Sequence, residues 1–578
     1  MKKTVSFQQL LLIGALLIIG VSLIFRLIAI WQIPMIGDEP DDVALLLGDL
    51  PDILNFFSAP RTYGFDQSRL PYILSAPLIL AFQDHSLIPM RLLFLSFHIL
   101  FLFYSFKLVQ FLTNNKRASW GYLLCLVASC YLASFSIFSI TTSDNLYLLF
   151  HIMCIYYFLR ENRDQQEGGT RTRYLLLILL MALCISSKLF GILLLLSLFV
   201  FDLINKGFGR SISLQSIQPV RLLKLGLLFF LGIVTINFLP IPHKARLLTA
   251  AIACLGYASL IIYYAVGERN RDFSVGQVFF VEFWAAFALT TFNLTLIFSP
   301  VYLNLHNLLK TVTWFRDWSH GLLVERSHYY DMLLIILMKF GLISCLVLLV
   351  VLVLLFCILI KNKTRISVNS PFFLFLMVFL IHFTVISLVK HKVTWYPLAI
   401  FPFLYLPLVW LYNFVSEHKS RPLDALIAVC FSLILVDNGW RYFRWFPYGH
   451  FDGAQYGREY IGWNRAGFIS FEIMPELFTY LSSLGRESED LRVNCQVISV
   501  PMYNQWTAIL LGETFRRRGK TQFRFSGESW DDSAQAQYNY ILTSPVYYPE
   551  FEEELRKYGR TKIKTLGLKS IDILSVWK

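Results

Sequence analysis

The feature that most constrains this chain is a succession of apolar stretches of about bilayer length, separated by short connections rich in Lys and Arg. A helix needs ~20 apolar residues to cross a ~30 Å hydrocarbon core. Inside such a core every backbone polar group must be satisfied within the protein, which makes helices the natural form for runs of this length. Composition agrees: 56% of the 578 residues are hydrophobic and only 15% are charged, against ~25% charged in soluble chains. The formal charge of +13 sits mostly between apolar runs, where it follows the positive-inside rule and does not point to nucleic acid. Eight of the nine cysteines lie inside apolar runs, only Cys495 lies outside them, and there is no CxxC pair. Neither a disulfide framework nor a zinc knuckle is supported.

In chain order, Lys2 and Lys3 precede an apolar run from Leu10 to Ile30. That run is too long for a signal-peptide core, so it reads as a retained first span with a cytoplasmic N-terminus. Leu70 to Phe82 is short and broken by Pro71 and Pro77, which suits a helix in the outer interface better than a span. Further spans are expected at Ile88 to Leu112, Ala118 to Ile140 and Asn145 to Leu159. Tyr174 to Ile204 has basic connections at both ends, so it is expected to cross twice, turning at Ser186-Ser187-Lys188. Leu222 to Leu239, Leu247 to Val266, Val275 to Phe298, Met332 to Ile360, Pro371 to Val389, Tyr396 to Phe414 and Leu423 to Trp440 complete the set.

The expected architecture is therefore an all-α polytopic membrane domain over residues 1–440, with about thirteen transmembrane helices, and a C-terminal soluble α/β domain over 441–578 placed outside. In that tail strand-like runs (Val493 to Val500, Gln522 to Phe525, Tyr538 to Thr543, and near Ile563 and Ile573) alternate with helical ones (Tyr503 to Arg518, Pro549 to Tyr558), the pattern of a small α/β fold. It contains no GxGxxG or GxxxxGK[ST] stretch, so no nucleotide is assigned to it.

This topology collects polar groups on the outer side: Asp38, Glu39, Asp41 and Asp42 after the first span, then Asp66, Arg69, Arg91, Asp144, Lys188, His320, His328 and Lys390-His391-Lys392. Cations on one membrane face can hold a phosphate, and a carboxylate there can take a proton from an attacking hydroxyl. Each also has a plainer reading. Lys390, Lys392, Arg69 and Arg91 can anchor at the interface, and the acidic cluster can be a solvated loop. Asp144 and Lys188 resist that reading, because each lies in a very short turn between apolar runs. His151, Glu282, Lys339 and His382 lie within apolar runs and are left unassigned.

Several of these motifs, in this order, resemble the GT-C membrane glycosyltransferases that use polyprenyl-phosphate sugars, among them the lipid A aminoarabinose transferase and the protein O-mannosyltransferases. Gly37-Asp38-Glu39 resembles the Asp-Glu motif of the first outer loop, and Phe65-Asp66-Gln67-Ser68-Arg69-Leu70-Pro71-Tyr72 resembles the acidic-basic-proline-aromatic stretch, without its Lys-Pro-Pro. Thr142-Ser143-Asp144-Asn145 is similar to the second acidic loop, and Ser187-Lys188-Leu189-Phe190-Gly191 to the outward Lys-Gly turn with two residues inserted. His320-Gly321 through His328-Tyr329-Tyr330 and Lys390-His391-Lys392-Val393-Thr394-Trp395-Tyr396-Pro397 are similar to the later outer segments.

The resemblance implies inverting sugar transfer from a polyprenyl phosphate to a hydroxyl of a lipid, glycan or protein in the cell envelope, as in lipopolysaccharide biosynthesis. It implies Asp38 as base with Glu39 beside it, and Asp66 and Asp144 as secondary acids. Lys188, Arg69, Lys390, His391 and Lys392 would bind the donor phosphate, and His320, His328, Tyr329 and Tyr330 would contact substrate. No cofactor is expected, although clustered carboxylates with outward histidines could hold a divalent metal. Two other functions compete: a lipid-linked sugar transporter or flippase, which should show a repeat between halves that is not evident here, and an oligosaccharyltransferase, which would need a metal and an acceptor motif in the tail.

Overall fold

The computed structural model describes residues 7–32, 70–82, 87–137, 144–166, 174–207, 211–215, 219–240, 242–267, 275–309, 331–361, 370–388, 396–418, 421–445, 474–484, 490–496, 522–527, 537–543, 549–568 and 571–578, with a few isolated positions between 508 and 520. The chain divides into two compact units, one holding most of the residues up to 450 and the other holding 451–578 with 28–48 and 84–88.

The first unit is helical. It opens with α1 (Phe7–Gln32), α2 (Leu70–Phe82), α3 (Leu87–Thr113), α4 (Lys116–Ala128) and α5 (Cys130–Phe135). It continues with α6 (Asp144–Gln166), α7 (Tyr174–Ser187) and α8 (Gly191–Lys206). A two-stranded antiparallel ribbon, β1 (Ser211–Gln215) with β2 (Val275–Phe279), brackets α9 (Pro219–Phe238) and α10 (His243–Gly267) and leads into α11 (Phe280–Phe298). Then come α12 (Asp331–Phe340), α13 (Leu342–Lys361), α14 (Pro371–Leu388), two 3₁₀ turns at Tyr396–Ala399 and Phe401–Tyr405, α15 (Leu406–His418) and α16 (Arg421–Trp445).

Helices α1, α9 and α13 turn large apolar side chains outward, Leu17 being 62%, Leu228 67% and Leu346 55% exposed. An apolar surface of that extent belongs against lipid rather than water. The protein is a multi-pass membrane protein.

The number of spans differs from the sequence expectation. Among the described residues six helices are long and apolar enough to cross: Ile13–Trp31, Ile88–Thr113, Pro219–Phe238, Phe280–Phe298, Pro371–Leu388 and Ala425–Tyr442. The bent pair Met332–Phe340 and Leu342–Ile358 makes seven if counted as one, so the figure is six to seven and not about thirteen. Part of the surplus came from apolar runs that break into short helices. Tyr174 to Ile204 splits into helices of 14 and 16 residues, which at ~1.5 Å per residue fall short of the hydrocarbon core. Ala118 to Ile140 breaks at Ser129, whose backbone is extended and whose hydroxyl caps α5 by accepting from Leu132 N–H at 3.4 Å. Tyr396 to Phe414 begins as 3₁₀ turns around Pro397 and Pro402, since proline supplies no helical N–H. Residues of α7 such as Leu177, Met181 and Cys184 are buried. Their apolarity fills a protein interior rather than facing lipid.

The bend between α12 and α13 has an identifiable cause. The two helices meet at 100° across Gly341, whose φ is +97°. Asp437 of α16 accepts from Ser344 N–H at 3.0 Å and Ser344 Oγ at 2.7 Å, so it caps the N-terminus of α13. One turn further along α16, Arg441 donates to the carbonyl of Lys339 at 2.8 Å and to that of Met338, which satisfies the C-terminus of α12. The acid thus meets the positive end of one helix dipole and the base the negative end of the other.

The second unit carries α17 (Met474–Leu484) and a five-stranded sheet of β3 (Leu491–Gln496), β4 (Phe523–Ser526), β5 (Tyr540–Thr543), β6 (Lys562–Leu568) and β7 (Ile571–Trp577), with α18 (Pro549–Lys557). The strand order is β4-β3-β5-β7-β6, parallel between β4, β3 and β5 and antiparallel from β5 to β7 to β6. This α/β region agrees with the alternating pattern of the tail. The expected helix Tyr503 to Arg518 lies mostly outside the described residues. Phe551 and Leu555, one turn apart on α18, pack with Ile541 and Trp577. Beside them Glu552 accepts from Lys562 Nζ at 2.6 Å and Thr543 Oγ1 at 2.9 Å, and Trp577 Nε1 donates to Thr543 Oγ1 at 2.8 Å. Burial alone would raise the Glu552 carboxyl, but hydrogen bonds from Lys562, Ser575 and Thr543 outweigh it and hold it below the ordinary glutamate range.

Candidate active site

Two of the expected site residues lie among the described residues, and the fold brings them together. Asp144 is the first residue of α6, where an anion is favoured by the helix dipole. Lys188 follows the last residue of α7, with its N–H on the carbonyl of Cys184 at 3.1 Å. Helix α6 packs along α7, so the N-terminal end of one meets the C-terminal end of the other, and Lys188 Nζ donates to Asp144 Oδ1 in an ion pair.

The turn that carries Lys188 is fixed by Gly191. Its N–H bonds the carbonyl of Lys188 at 2.9 Å, and a Cβ there would stand 2.8 Å from the backbone N of Ile185 and 2.9 Å from the carbonyl carbon of Cys184. Only glycine permits that approach.

The Asp144 end is held by its neighbour. Asn145 Nδ2 donates to the carbonyl of Phe135 at 2.8 Å, so its oxygen faces His98 Nδ1 at 3.1 Å and accepts from it. Below this lies Arg26 of α1, 2% exposed, donating to Ser136 Oγ at 2.8 Å, Ser22 Oγ at 2.6 Å and the carbonyl of Val127 at 3.3 Å. Asp144 is 1% exposed. Its Oδ2 has no hydrogen-bond partner among the described residues. Burial raises its carboxyl to about 6, with the Lys188 ammonium opposing that rise.

A cleft of ≈ 240 Å³, open solvent included, is lined by Asp144, Tyr147 and Lys188, with His382 and Ile386 from α14 and Leu398 and Ala399 from the first 3₁₀ turn. His382 Nδ1 donates to the carbonyl of Val378 one turn back at 2.9 Å, which leaves Nε2 to accept the Tyr147 hydroxyl at 3.5 Å. The His151 ring lies 5.3 Å from that of His382 and 5.4 Å from that of Tyr147.

Sequence reasoning left His382 unassigned and passed over Tyr147. The spacing of Tyr147 three residues after Asp144, on the same helix face, could have drawn attention to it, as could an imidazole inside an apolar run. Asp38, Glu39, Asp66, Arg69, His320, His328, Tyr329, Tyr330, Lys390, His391 and Lys392 lie outside the described residues. Among the described residues no three His, Cys, Asp or Glu side chains converge as a metal site.

Residues 70–236 match the family described as dolichyl-phosphate-mannose-protein mannosyltransferase, a segment that contains both Asp144 and Lys188. The fold is similar to that of ArnT from Cupriavidus metallidurans, solved as a crystal structure bound to undecaprenyl phosphate. The identity is 12%, the TM-score 0.50, and the likeness covers 97% of each chain. No curated protein sequence matches the chain.

Proposed function

We propose, from the premise that the chain has a GT-C membrane glycosyltransferase fold, that it transfers a sugar from a polyprenyl-phosphate donor to a hydroxyl acceptor with inversion. The observation that carries this reading is the Asp144–Lys188 pair. It lines a cleft in the membrane unit, inside the segment matched by the mannosyltransferase family. The undecaprenyl phosphate named with the similarly folded protein supports a polyprenyl-phosphate donor here. The catalytic membrane domain would span residues 1–440 and an extracytoplasmic α/β domain 441–578, in the plasma (inner) membrane, with Lys2 and Lys3 keeping the N-terminus in the cytoplasm.

In this reading Asp38 takes the proton of the acceptor hydroxyl as its oxygen attacks the anomeric carbon, with Glu39 beside it. Arg69, Lys390, His391 and Lys392 neutralise the polyprenyl phosphate as it departs, where exclusion of water strengthens the attraction. Asp66 and Asp144 order the polar groups around the sugar, and His320, His328, Tyr329 and Tyr330 contact the acceptor side. The acceptor is a hydroxyl of a lipid, glycan or protein of the envelope.

The test is Asp38→Asn in purified protein supplied with polyprenyl-phosphate sugars, with products read by mass spectrometry. The variant is expected to insert and fold but to lose transfer by ~10²-fold or more. Retained turnover would remove Asp38 as the base.

A further inference from the structure

The cleft at Asp144 has a hydrogen-bonding inventory unlike that of a phosphate site. Lys188 is the one cation among the described residues lining it, and its ammonium is already paired with Asp144 Oδ1. A neutralised pair offers little attraction to an incoming anion. The second carboxylate oxygen, buried and without a hydrogen-bond partner among the described residues, would repel a phosphate oxygen. That oxygen is an acceptor in want of a donor, and leaving it unmet is costly.

A second acceptor lies one turn away. Because His382 Nδ1–H is committed to the Val378 carbonyl, its Nε2 receives the Tyr147 hydroxyl hydrogen. The lone pairs of the Tyr147 oxygen are then left for a ligand. Tyr147 and Asp144, three residues apart on α6, face the same cleft. The ammonium keeps N–H groups that can donate to a ligand oxygen, and Phe190, Ile386 and Leu398 give apolar walls. Two acceptors, one donor and an apolar wall complement a hydroxyl-bearing ring.

We propose that this cleft is a subsite for the hydroxyls of the donor sugar rather than for its phosphate, with Asp144 and Tyr147 as the contacts and His382 as a positioning residue that orients Tyr147. The proposal rests on the polyprenyl-phosphate sugar reading above. It reassigns Lys188 from the phosphate to the orientation of Asp144.

The experiment measures binding of two probes, polyprenyl phosphate and a polyprenyl-phosphate hexose, to the full-length protein in nanodiscs. The variants are His382→Phe, Tyr147→Phe, the double variant and His382→Gln, whose amide oxygen can replace Nε2 as acceptor. Wild type is expected to prefer the sugar-bearing lipid. Each single variant should lose about tenfold of that preference, the value of one hydrogen bond of ~1.4 kcal/mol, while affinity for the bare phosphate stays within about twofold. The double variant should be no worse than either single one, and His382→Gln should recover part of the loss.

Equal weakening of both probes would make this a phosphate site and overturn the proposal, as would unchanged preference in Tyr147→Phe, which stands as the test if His382→Phe fails to fold. Wild type that binds neither lipid would remove the polyprenyl-phosphate reading itself, a result distinct from the other two.

Discussion

Gly341→Ala is the sharpest test of the helical unit, because the bend between α12 and α13 depends on a position where both backbone and space exclude a side chain. A residue other than glycine at φ +97° carries a backbone penalty of ~1–2 kcal/mol. The added Cβ would clash with Asp437 Oδ2 and lie 2.9 Å from Arg441 Nη1, so the carboxylate must move. Its two hydrogen bonds from Ser344, each to a charged group, are worth ~1.5–3 kcal/mol apiece. Losing one of them and accepting the backbone penalty gives a destabilisation of ~2.5–5 kcal/mol. Reversible unfolding in mixed detergent micelles would read it. The double variant Gly341→Ala with Asp437→Ala should show coupling of at least ~1 kcal/mol, since the clash is gone once the carboxylate is removed. A Gly341→Ala protein within ~1 kcal/mol of wild type would refute the account of the bend.

Three further outcomes follow from the same structure. Gly191→Ala should push α7 and α8 apart at Ile185 and disturb the Lys188 turn, so sugar-lipid binding and stability should fall together, by ~2 kcal/mol or more in unfolding. Arg26→Met keeps the volume but removes the donor to Ser136 Oγ and one of the two donors to the Val127 carbonyl, and should cost ~1–3 kcal/mol in the same unfolding assay. In the C-terminal unit the carboxyl of Glu552 is held below its usual range, so its contribution is full above the unfolded value of ~4.3 and is lost as pH falls through the lower folded value. Acid unfolding of the full-length protein, followed by hydrogen exchange of the β5 and β7 amides, should shift to a less steep dependence below pH ~4 in Glu552→Gln.

The sequence by itself determined the class and several local features. Long apolar runs with basic connections require a bilayer, because no soluble core could take up that surface. The period-2 runs of the tail marked β3, β5 and the closing strands, and the break after α7 was legible from Ser186-Ser187-Lys188 and Gly191. These properties reside in short stretches, where propensity and patterning act within a few residues.

Tertiary structure alone decided how many runs cross the membrane. Leu177, Met181 and Cys184 in α7 are as apolar as the outward-facing Leu228 of α9, and only their neighbours show that they fill an interior. It also decided which polar groups meet. Asp144 and Lys188 are 44 residues apart, Tyr147 and His382 are 235 apart, and Ser344 reaches Asp437 across 93. Such pairings follow from how helices pack, and packing depends on the shapes of whole faces, which no single stretch of sequence contains.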